Sequence, residues 1–424
     1  MTTSKEITAP VKQGARRLDL EPFRLQNAGV VYAFVLIVAV VAILAAANGR
    51  TDYLGLINMA NVLDQSSLYG ILAIFMTITL ISGNFDLSIG SIAALSGGLA
   101  LSVLDAHGVI VAILLGLASG IVLGLVNGIL VQVVGINAFI VTLGSLTAVR
   151  GLVLILTNAQ SVEAQSTALN GLAGPGPALN LRVTAVVAGV ILVAVEVFGV
   201  RRGRQGRRQL SIWDGALVGV GLLLAIGGGA LFATSWSLTM PVYFLVVIMV
   251  IAWAVLRFTV VGRRLYAVGG NAEAARLSGI NVARYKIVPF VLSGLAAAFI
   301  GILYAGRFGA INPNALTGTE LVVLASAILG GTSLFGGAGS VVKSVIGALI
   351  LFTLSNGFNI LNLGANYQGL IQGLVIIGAA AVYTVAGRRG FRREIVAQAP
   401  DASTEQSTEP WDAAAGAGTP VGRL

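Results

Sequence analysis

The sequence predicts an all-α polytopic membrane protein with about 12 transmembrane helices. Of its 424 residues, 56% are hydrophobic and 10% are charged, whereas soluble globular domains carry about 25% charged residues. Twelve spans of about 20 residues need about 240 apolar positions, close to what this hydrophobic fraction supplies. The basic residues also gather in segments between long apolar runs. Little of the chain is left for a soluble domain.

The apolar runs divide the chain into three parts. We expect residues 1–27 to be a cytoplasmic N-terminal segment, residues 28–387 a transmembrane domain, and residues 388–424 a disordered cytoplasmic tail. Two spans, 67–82 and 320–334, are short and run into glycine clusters, as broken or tilted helices do. The predicted spans are 28–47, 67–82, 88–105, 109–133, 137–157, 183–200, 213–233, 241–261, 286–308, 320–334, 341–361 and 366–386.

Four clusters of basic residues assign the two sides of the membrane. They lie in the N-terminal segment and at 201–208, 263–286 and 388–393. Short loops rich in Lys and Arg stay in the cytoplasm during insertion. Twelve crossings that begin inside place all four clusters and both termini in the cytoplasm. Basic groups scattered between apolar spans predict contact with membrane lipid and no nucleic-acid partner.

The composition argues against enzymatic chemistry. The chain has no Cys and a single His, His107, so we expect no disulfide and no metal site. Gly339 to Ser344 resembles a phosphate-binding loop, but Val342 stands where that loop requires a glycine. The sequence shows no credible set of nucleophile and base. We therefore expect this chain to be no enzyme and to bind no cofactor.

One predicted span carries a regular stripe of glycines. Gly116, Gly120, Gly124 and Gly128 recur every four residues and so share one helix face. Helices without side-chain bulk can approach backbone to backbone, which drives association where lipid offers no hydrophobic gain. The stripe predicts a tight packing seam, either inside the bundle or at a protomer contact.

Two glycine-rich stretches interrupt the apolar pattern at corresponding places in two possible repeats, spans two to five and nine to twelve. The stretches are Ser82 to Ser91 and Gly330 to Ser340. Irregular backbone at membrane depth requires protein or water to satisfy it, so paired interruptions favour a transport pathway. Asp86, in the first stretch, is either an N-cap for the third span or an intramembrane acid with a transport role.

Uncharged polar side chains at depth offer the donors and acceptors that a polyol needs. Gln368 and Gln372 lie four residues apart and share one helix face. Such groups also hydrogen-bond neighbouring helices, and that alternative stays open. The predicted residues of the translocation pathway are Asn84, Asp86, Ser88, Asn127, Asn356, Gln368 and Gln372.

The cytoplasmic segment 262–285 has the most specific pattern in the chain. Asn271 is a predicted helix N-cap and Gly279 a predicted stop, which leaves about two helical turns between them. A helix this short is barely stable in water and needs a surface on which to dock. Ala274 and Ala275 permit that surface to approach closely.

This segment resembles the coupling segment of ABC importer permeases, where Glu-Ala-Ala is followed after three residues by Gly. Glu273 to Ala275 and Gly279 match that pattern. The wider string Val268 to Val282 is similar to the monosaccharide permeases of the ribose, galactose and xylose type. By this resemblance, the residues that couple to the ATPase are Gly270, Asn271, Glu273, Ala274, Ala275 and Gly279.

A second stretch supports the same family. Gly83 to Ser91 resembles the Gly-Gly-Ile-Asp-Leu-Ser-Val-Gly-Ser motif of these permeases, with departures at Asn84 and Phe85. The resemblance covers about residues 54–157 and 241–387. Relative to ten-helix members, the intervening segment holds an extra hairpin at 183–233, as the longer xylose-type permeases do.

The resemblance implies the permease subunit of an ATP-driven sugar importer in the bacterial inner membrane, translocating a pentose such as xylose. Two copies of the chain would form the pathway, and two copies of an ABC ATPase would consume the ATP. A periplasmic or extracellular sugar-binding protein would deliver the sugar. The alternatives are an ABC permease for branched-chain amino acids or nucleosides, and an ion-coupled secondary transporter. The lack of paired intramembrane acids in the sequence disfavours the last of these.

Overall fold

The chain folds into a bundle of long apolar helices joined by short loops. A computed structural model describes residues 25–175 and 238–362, residue 190, and the pairs 369–370, 373–374 and 377–378. The helices are α1 (Leu25–Ala47), α2 (Leu56–Ile81), α3 (Ile89–Gln132), α4 (Ala138–Leu156), α5 (Asn170–Ala173), α6 (Met240–Phe258), α7 (Val260–Gly270), α8 (Ala272–Leu277), α9 (Val282–Phe308), α10 (Thr319–Leu329) and α11 (Val341–Ile360), with a 3-10 turn at Thr51–Leu54.

Seven helices of the described part are long and apolar enough to cross a membrane, namely α1, α2, α3, α4, α6, α9 and α11. Short strands β1 (Val162–Glu163) and β2 (Ala310–Ile311) pair antiparallel. The predicted helical membrane class is confirmed. The total of 12 spans stays a prediction, because most of the hairpin 183–233, of the last span and of both terminal segments lies outside the described residues. The sidedness of the termini is likewise a prediction.

Helix α3 is a hairpin of two antiparallel arms. Gly108 has φ 79° and ψ 172°, which breaks the helix in the middle. Ser96 Oγ lies 2.7 Å from Ser119 Oγ, a contact possible only if the chain folds back on itself. The two predicted spans 88–105 and 109–133 are therefore confirmed as separate helices, with the reversal at the glycine between them.

Helix α2 begins at Leu56, well before the predicted start at residue 67. The polar residues of its first turns hide the apolar pattern, but they find partners in other helices. Asp64 is buried and forms an ion pair with Arg307 of α9, with 2.5 Å between Oδ2 and Nη2. Asn58 exchanges two amide hydrogen bonds with Asn356 of α11, at 3.0 and 2.8 Å. The prediction of a short span was wrong, because partners distant in sequence make these polar groups tolerable inside the bundle.

The predicted span at 320–334 is interrupted, as expected. Helix α10 has 11 residues, about 16 Å, which is roughly half of the hydrocarbon thickness. The chain before it is irregular, and Arg150 of α4 donates to the carbonyls of Pro313 and Ala315 there, at 2.6 and 2.9 Å. A side chain thus satisfies backbone groups that a helix would have paired internally.

The glycine stripe forms a seam between the second arm of α3 and α9. A Cβ on Gly116 would stand 2.9 Å from Ile302 Cδ1, and one on Gly128 would stand 3.1 Å from Ile287 Cγ2. Between them, Cβ atoms on Gly120 and Gly124 would overlap the carbonyl oxygens of Gly294 and Phe290. The two backbones touch, so the predicted packing seam is confirmed and lies inside the bundle.

We expect Gly120→Ala to destabilise the protein by about 1–3 kcal/mol, since the added methyl group meets backbone that cannot rotate away. The matched control is Gly144→Ala in α4, where nothing lies within 4 Å of the new Cβ. That change should be neutral or stabilising by up to about 1 kcal/mol through helix propensity. Thermal unfolding of the two purified variants tests the seam, and equal midpoints would contradict it.

Candidate functional site

The predicted coupling helix forms as α8. Asn271 Oδ1 accepts a hydrogen bond from the Ala274 N–H at 2.9 Å, so Asn271 is the N-cap. Gly279 follows the helix with φ +77°, a conformation that favours glycine. The predicted cap and stop are both confirmed. They fix a helix of six residues whose ends are defined by local chemistry alone.

The exposed face of α8 differs from the face that holds it to the chain. Ala275 is 4% exposed and packs inward, so it anchors the helix. Leu277 is 81% exposed, which is unusual for a large apolar side chain. Glu273 and Arg276 form an exposed ion pair at 2.8 Å. A partner on this side would therefore meet Leu277 and the neighbouring polar groups.

Behind α8, three segments meet in a glycine junction formed by Gly83, Gly269, Gly270, Gly336 and Gly337. A Cβ on Gly336 would lie 2.6 Å from Gly269 O and 2.8 Å from Gly83 Cα. A Cβ on Gly337 would lie 2.7 Å from Gly270 Cα. The coupling segment therefore touches both interrupted stretches backbone to backbone. We call this the coupling end of the bundle.

Hydrogen bonds fasten the junction. The Gly337 N–H donates to the carbonyl of Ile81, the last residue of α2, at 3.0 Å. Tyr266 of α7 donates its hydroxyl to the Gly339 carbonyl at 2.9 Å. Burial raises the pKa of Tyr266, so its hydroxyl keeps its proton and stays a donor at neutral pH. Helix α7 is therefore bonded to the second interruption, which is bonded in turn to the end of α2.

Residues of the first interruption take part in a buried chain of hydrogen bonds. We call it the Asp86 cluster, and it consists of Asp86, Ser88, Asn127 and Ser145. Asp86 Oδ1 accepts from Ser88 N–H at 2.9 Å and from Ser88 O–H at 2.5 Å. Asn127 donates to Ser88 Oγ at 3.0 Å and accepts from Ser145 O–H at 2.5 Å. Three of the predicted pathway residues thus come together, held by both arms of α3 and by α4.

Asp86 itself is not the helix N-cap, because Ser88 occupies that position. The carboxylate instead orients Ser88 through Oδ1. Its second oxygen, Oδ2, is buried and faces the hydroxyl of Ser293 on α9, which is buried as well. A carboxylate oxygen and a hydroxyl that face each other in this way can exchange their mutual contact for hydrogen bonds to a hydroxyl group of a solute.

A second buried acid lies against the same arm of α3. Glu320 accepts from the Gly318 N–H at 3.1 Å, and a Cβ on Gly90 would lie 2.6 Å from Glu320 Oε2. The sequence shows no pair of intramembrane acids, yet the fold brings Asp86 and Glu320 to the first residues of one helix. The start of α3 therefore has a buried acid on either side of it, Asp86 in the preceding loop and Glu320 on α10.

The remaining predicted pathway residues lie elsewhere. Asn84 is buried in the same loop as Asp86, but its amide donates to Ser82 Oγ at 3.4 Å and not to a member of the Asp86 cluster. Asn356 is paired with Asn58. Gln368 and Gln372 lie outside the described residues. Ser145 and Ser293 were missed by sequence reasoning, because isolated serines in apolar helices give no signal until the fold places them beside the Asn127 amide and the Asp86 carboxylate.

The described part of the chain is thus a polytopic helical bundle with a capped, exposed helix at one end. The sequence comparisons agree: residues 58–380 match the family described as branched-chain amino acid transport system / permease component. The chain belongs to this family.

Curated relatives share most of the chain. It is 34% identical over 371 residues to the xylose transport system permease protein XylH of Escherichia coli (strain K12), covering 84% of this chain and 92% of that relative. It is 34% identical over 376 residues to XylH of Haemophilus influenzae, covering 85% and 98%. It is 32% identical over 351 residues to the ribose import permease protein RbsC of E. coli (strain K12), covering 82% and 91%. No solved structure matches. The resemblance to the xylose-type permeases is confirmed.

Proposed function

We propose that this chain is the membrane-spanning permease subunit of an ATP-driven ABC importer in the bacterial inner membrane, and that it translocates a pentose such as xylose. The observation that carries the proposal is the similarity to xylose permeases over 84% of the chain, a match that spans the coupling segment and the Asp86 cluster. The chain supplies the path, and ATP is hydrolysed by a separate subunit. Two permease copies, two ATPase copies and an external sugar-binding protein complete the assembly.

The coupling step rests on α8 and the glycine junction. An ATPase that binds the exposed face of α8 differently in its two nucleotide states shifts the permease between two conformations. Because α7 touches both interrupted stretches, this shift reaches the loop of Asp86 and the loop before α11 together. The residues proposed for coupling are Gly270, Asn271, Glu273, Ala274, Ala275 and Gly279. Among them, the buried Ala275 holds the helix against the chain, and the exposed Leu277 is added as a contact for the ATPase.

The experiment is reconstitution of the purified permease in proteoliposomes, with its ATPase inside and its binding protein outside. Uptake of labelled xylose, ribose and leucine is followed with and without ATP. Accumulation of xylose that requires ATP supports the proposal. Preference for leucine would assign a branched-chain amino acid instead. Uptake that persists without ATP and collapses with the ion gradient would point to ion coupling through Asp86 and Glu320.

A pair of Asp86 variants separates a transport role from a purely local one. Asp86→Asn keeps an Oδ1 acceptor for Ser88, so its thermal stability should stay within about 0.5 kcal/mol of wild type, whereas Asp86→Ala should lose about 1 kcal/mol. If Oδ2 accepts a sugar hydroxyl, Asp86→Asn should still slow xylose uptake about tenfold, since a hydrogen bond to a charged group contributes about 1.5 kcal/mol or more. Wild-type uptake by Asp86→Asn would leave Asp86 with the local role only.

A further inference from the structure

A cavity of about 450 Å³ opens at the end of the bundle opposite the coupling end. It lies where the loop after α1, the start of α2 and the end of α11 meet. Since α2 has 26 residues, about 39 Å, this opposite-end cleft is separated from the Asp86 loop by the whole length of that helix. Its polar lining residues are Arg50, Thr51, Asp52, Tyr53, Asn58, Asn359 and Asn362.

The lining is polar and electrically balanced. Arg50 and Asp52 carry opposite charges, while Asn359 and Asn362 present exposed amides that both donate and accept. This mixture does not select an anion or a cation. It suits a ligand whose groups are themselves both donors and acceptors, as the hydroxyls of a sugar are. The volume falls within the range of small-molecule sites, about 300–1,000 Å³.

The floor of the cleft is rigid. Asn58 donates to the Tyr53 carbonyl at 2.8 Å and to Asn356 Oδ1 at 3.0 Å, while Asn356 donates back to Asn58 Oδ1 at 2.8 Å. These bonds tie the loop after α1 to α2 and to α11. A preorganised wall of this kind lowers the entropy that a ligand must overcome on binding.

The hydroxyl of Tyr53, a residue that lines the cleft, lacks a hydrogen-bond partner among the described residues. The residue is 2% exposed. A buried hydroxyl without a partner is costly, and a ligand hydroxyl reaching it would remove that cost.

We infer that the opposite-end cleft is a binding site for a neutral, sugar-sized polyol, in addition to the Asp86 cluster. That the polyol is the imported sugar rests on the proposed function. With α8 on the cytoplasmic side, the cleft faces the side from which the binding protein delivers sugar. The permease would then hold its solute once on arrival and again deeper in the bundle.

The test uses the absence of cysteine from this chain. Thr51, exposed at the rim of the cleft, becomes the reporter in Thr51→Cys, and Gln160→Cys, exposed elsewhere, is the control. Each purified permease in nanodiscs is labelled with a hydrophilic maleimide, alone or with D-xylose or L-leucine. We expect saturating xylose to slow labelling of Thr51→Cys about fivefold or more, and to leave Gln160→Cys unchanged. Adding Asn359→Leu to the reporter should remove the protection.

The outcomes separate this inference from the proposed function. Unchanged labelling of Thr51→Cys in xylose overturns the cleft as a polyol site, even if ATP-driven xylose uptake is intact. Protection by leucine and not by xylose overturns it as well. Protection by xylose that Asn359→Leu abolishes supports the cleft, even if reconstituted uptake turns out to prefer another solute.

Discussion

Gly269→Ala is expected to destabilise the protein more than Gly120→Ala does. The new Cβ would coincide with the carbonyl oxygen of Ile81, and it would also lie 2.8 Å from Gly337 N. Both atoms are backbone, and the Ile81 carbonyl accepts the hydrogen bond from Gly337 that closes the junction. We expect a loss of about 3 kcal/mol or more, measured as a thermal unfolding midpoint lower by about 5 °C or more.

Gly270→Ala is the matched control, one residue further along the same helix. The nearest heavy atom to its new Cβ is Gly337 Cα at 3.9 Å, an ordinary van der Waals distance. Its unfolding midpoint should stay within about 1 °C of wild type. If the two variants have the same unfolding midpoint, the three segments do not touch at Gly269 and the junction is not a tight contact.

Leu277→Asp is expected to abolish ATP-dependent uptake while leaving the permease folded. Leu277 is 81% exposed, so its replacement removes almost no packing within this chain. At an interface with an ATPase, the same change buries a charge without a partner and should weaken association more than tenfold, or about 1.4 kcal/mol. Co-purification of the ATPase and uptake in proteoliposomes are the two measurements.

Two companion variants control for this result. Leu277→Met keeps an apolar side chain and should retain both association and uptake. Gln160→Asp adds the same charge at an exposed site away from the coupling end and should also behave as wild type. Normal ATPase co-purification with Leu277→Asp would show that the exposed face of α8 is not the docking surface.

The coupling helix was the most predictable part of the candidate site. Asn271 caps the helix with its own side chain, and Gly279 ends it through its own backbone freedom. Both features depend on residues within a few positions of each other, which is why the sequence specifies them. Its packing face was not predictable: Ala275 is buried against the chain and Leu277 is exposed, because only the docked fold decides which side of so short a helix is covered.

The Asp86 cluster was predicted in part. The glycine-rich interruption and its acid stand out against apolar neighbours, and so does Asn127. The contact between Asn127 and Ser88 could not be predicted, because it forms only when the chain reverses at Gly108. Ser293 lies more than 200 residues from Asp86 in the sequence. It reaches Asp86 because its helix, α9, packs closely on α3 along the glycine seam. Contacts of that range leave no local pattern.

The sequence by itself determined the membrane class, most of the helices in the described part of the chain, the packing seam and the capped coupling helix. Apolar length, glycine spacing and capping chemistry act over a few turns and can be recognised residue by residue. Only the tertiary structure decided the true start of α2, the irregular approach to α10, the glycine junction and the opposite-end cleft. Each of these depends on a polar or backbone group finding its partner, or lacking one, across helices that are distant in sequence, and this pairing exists only once the bundle has formed.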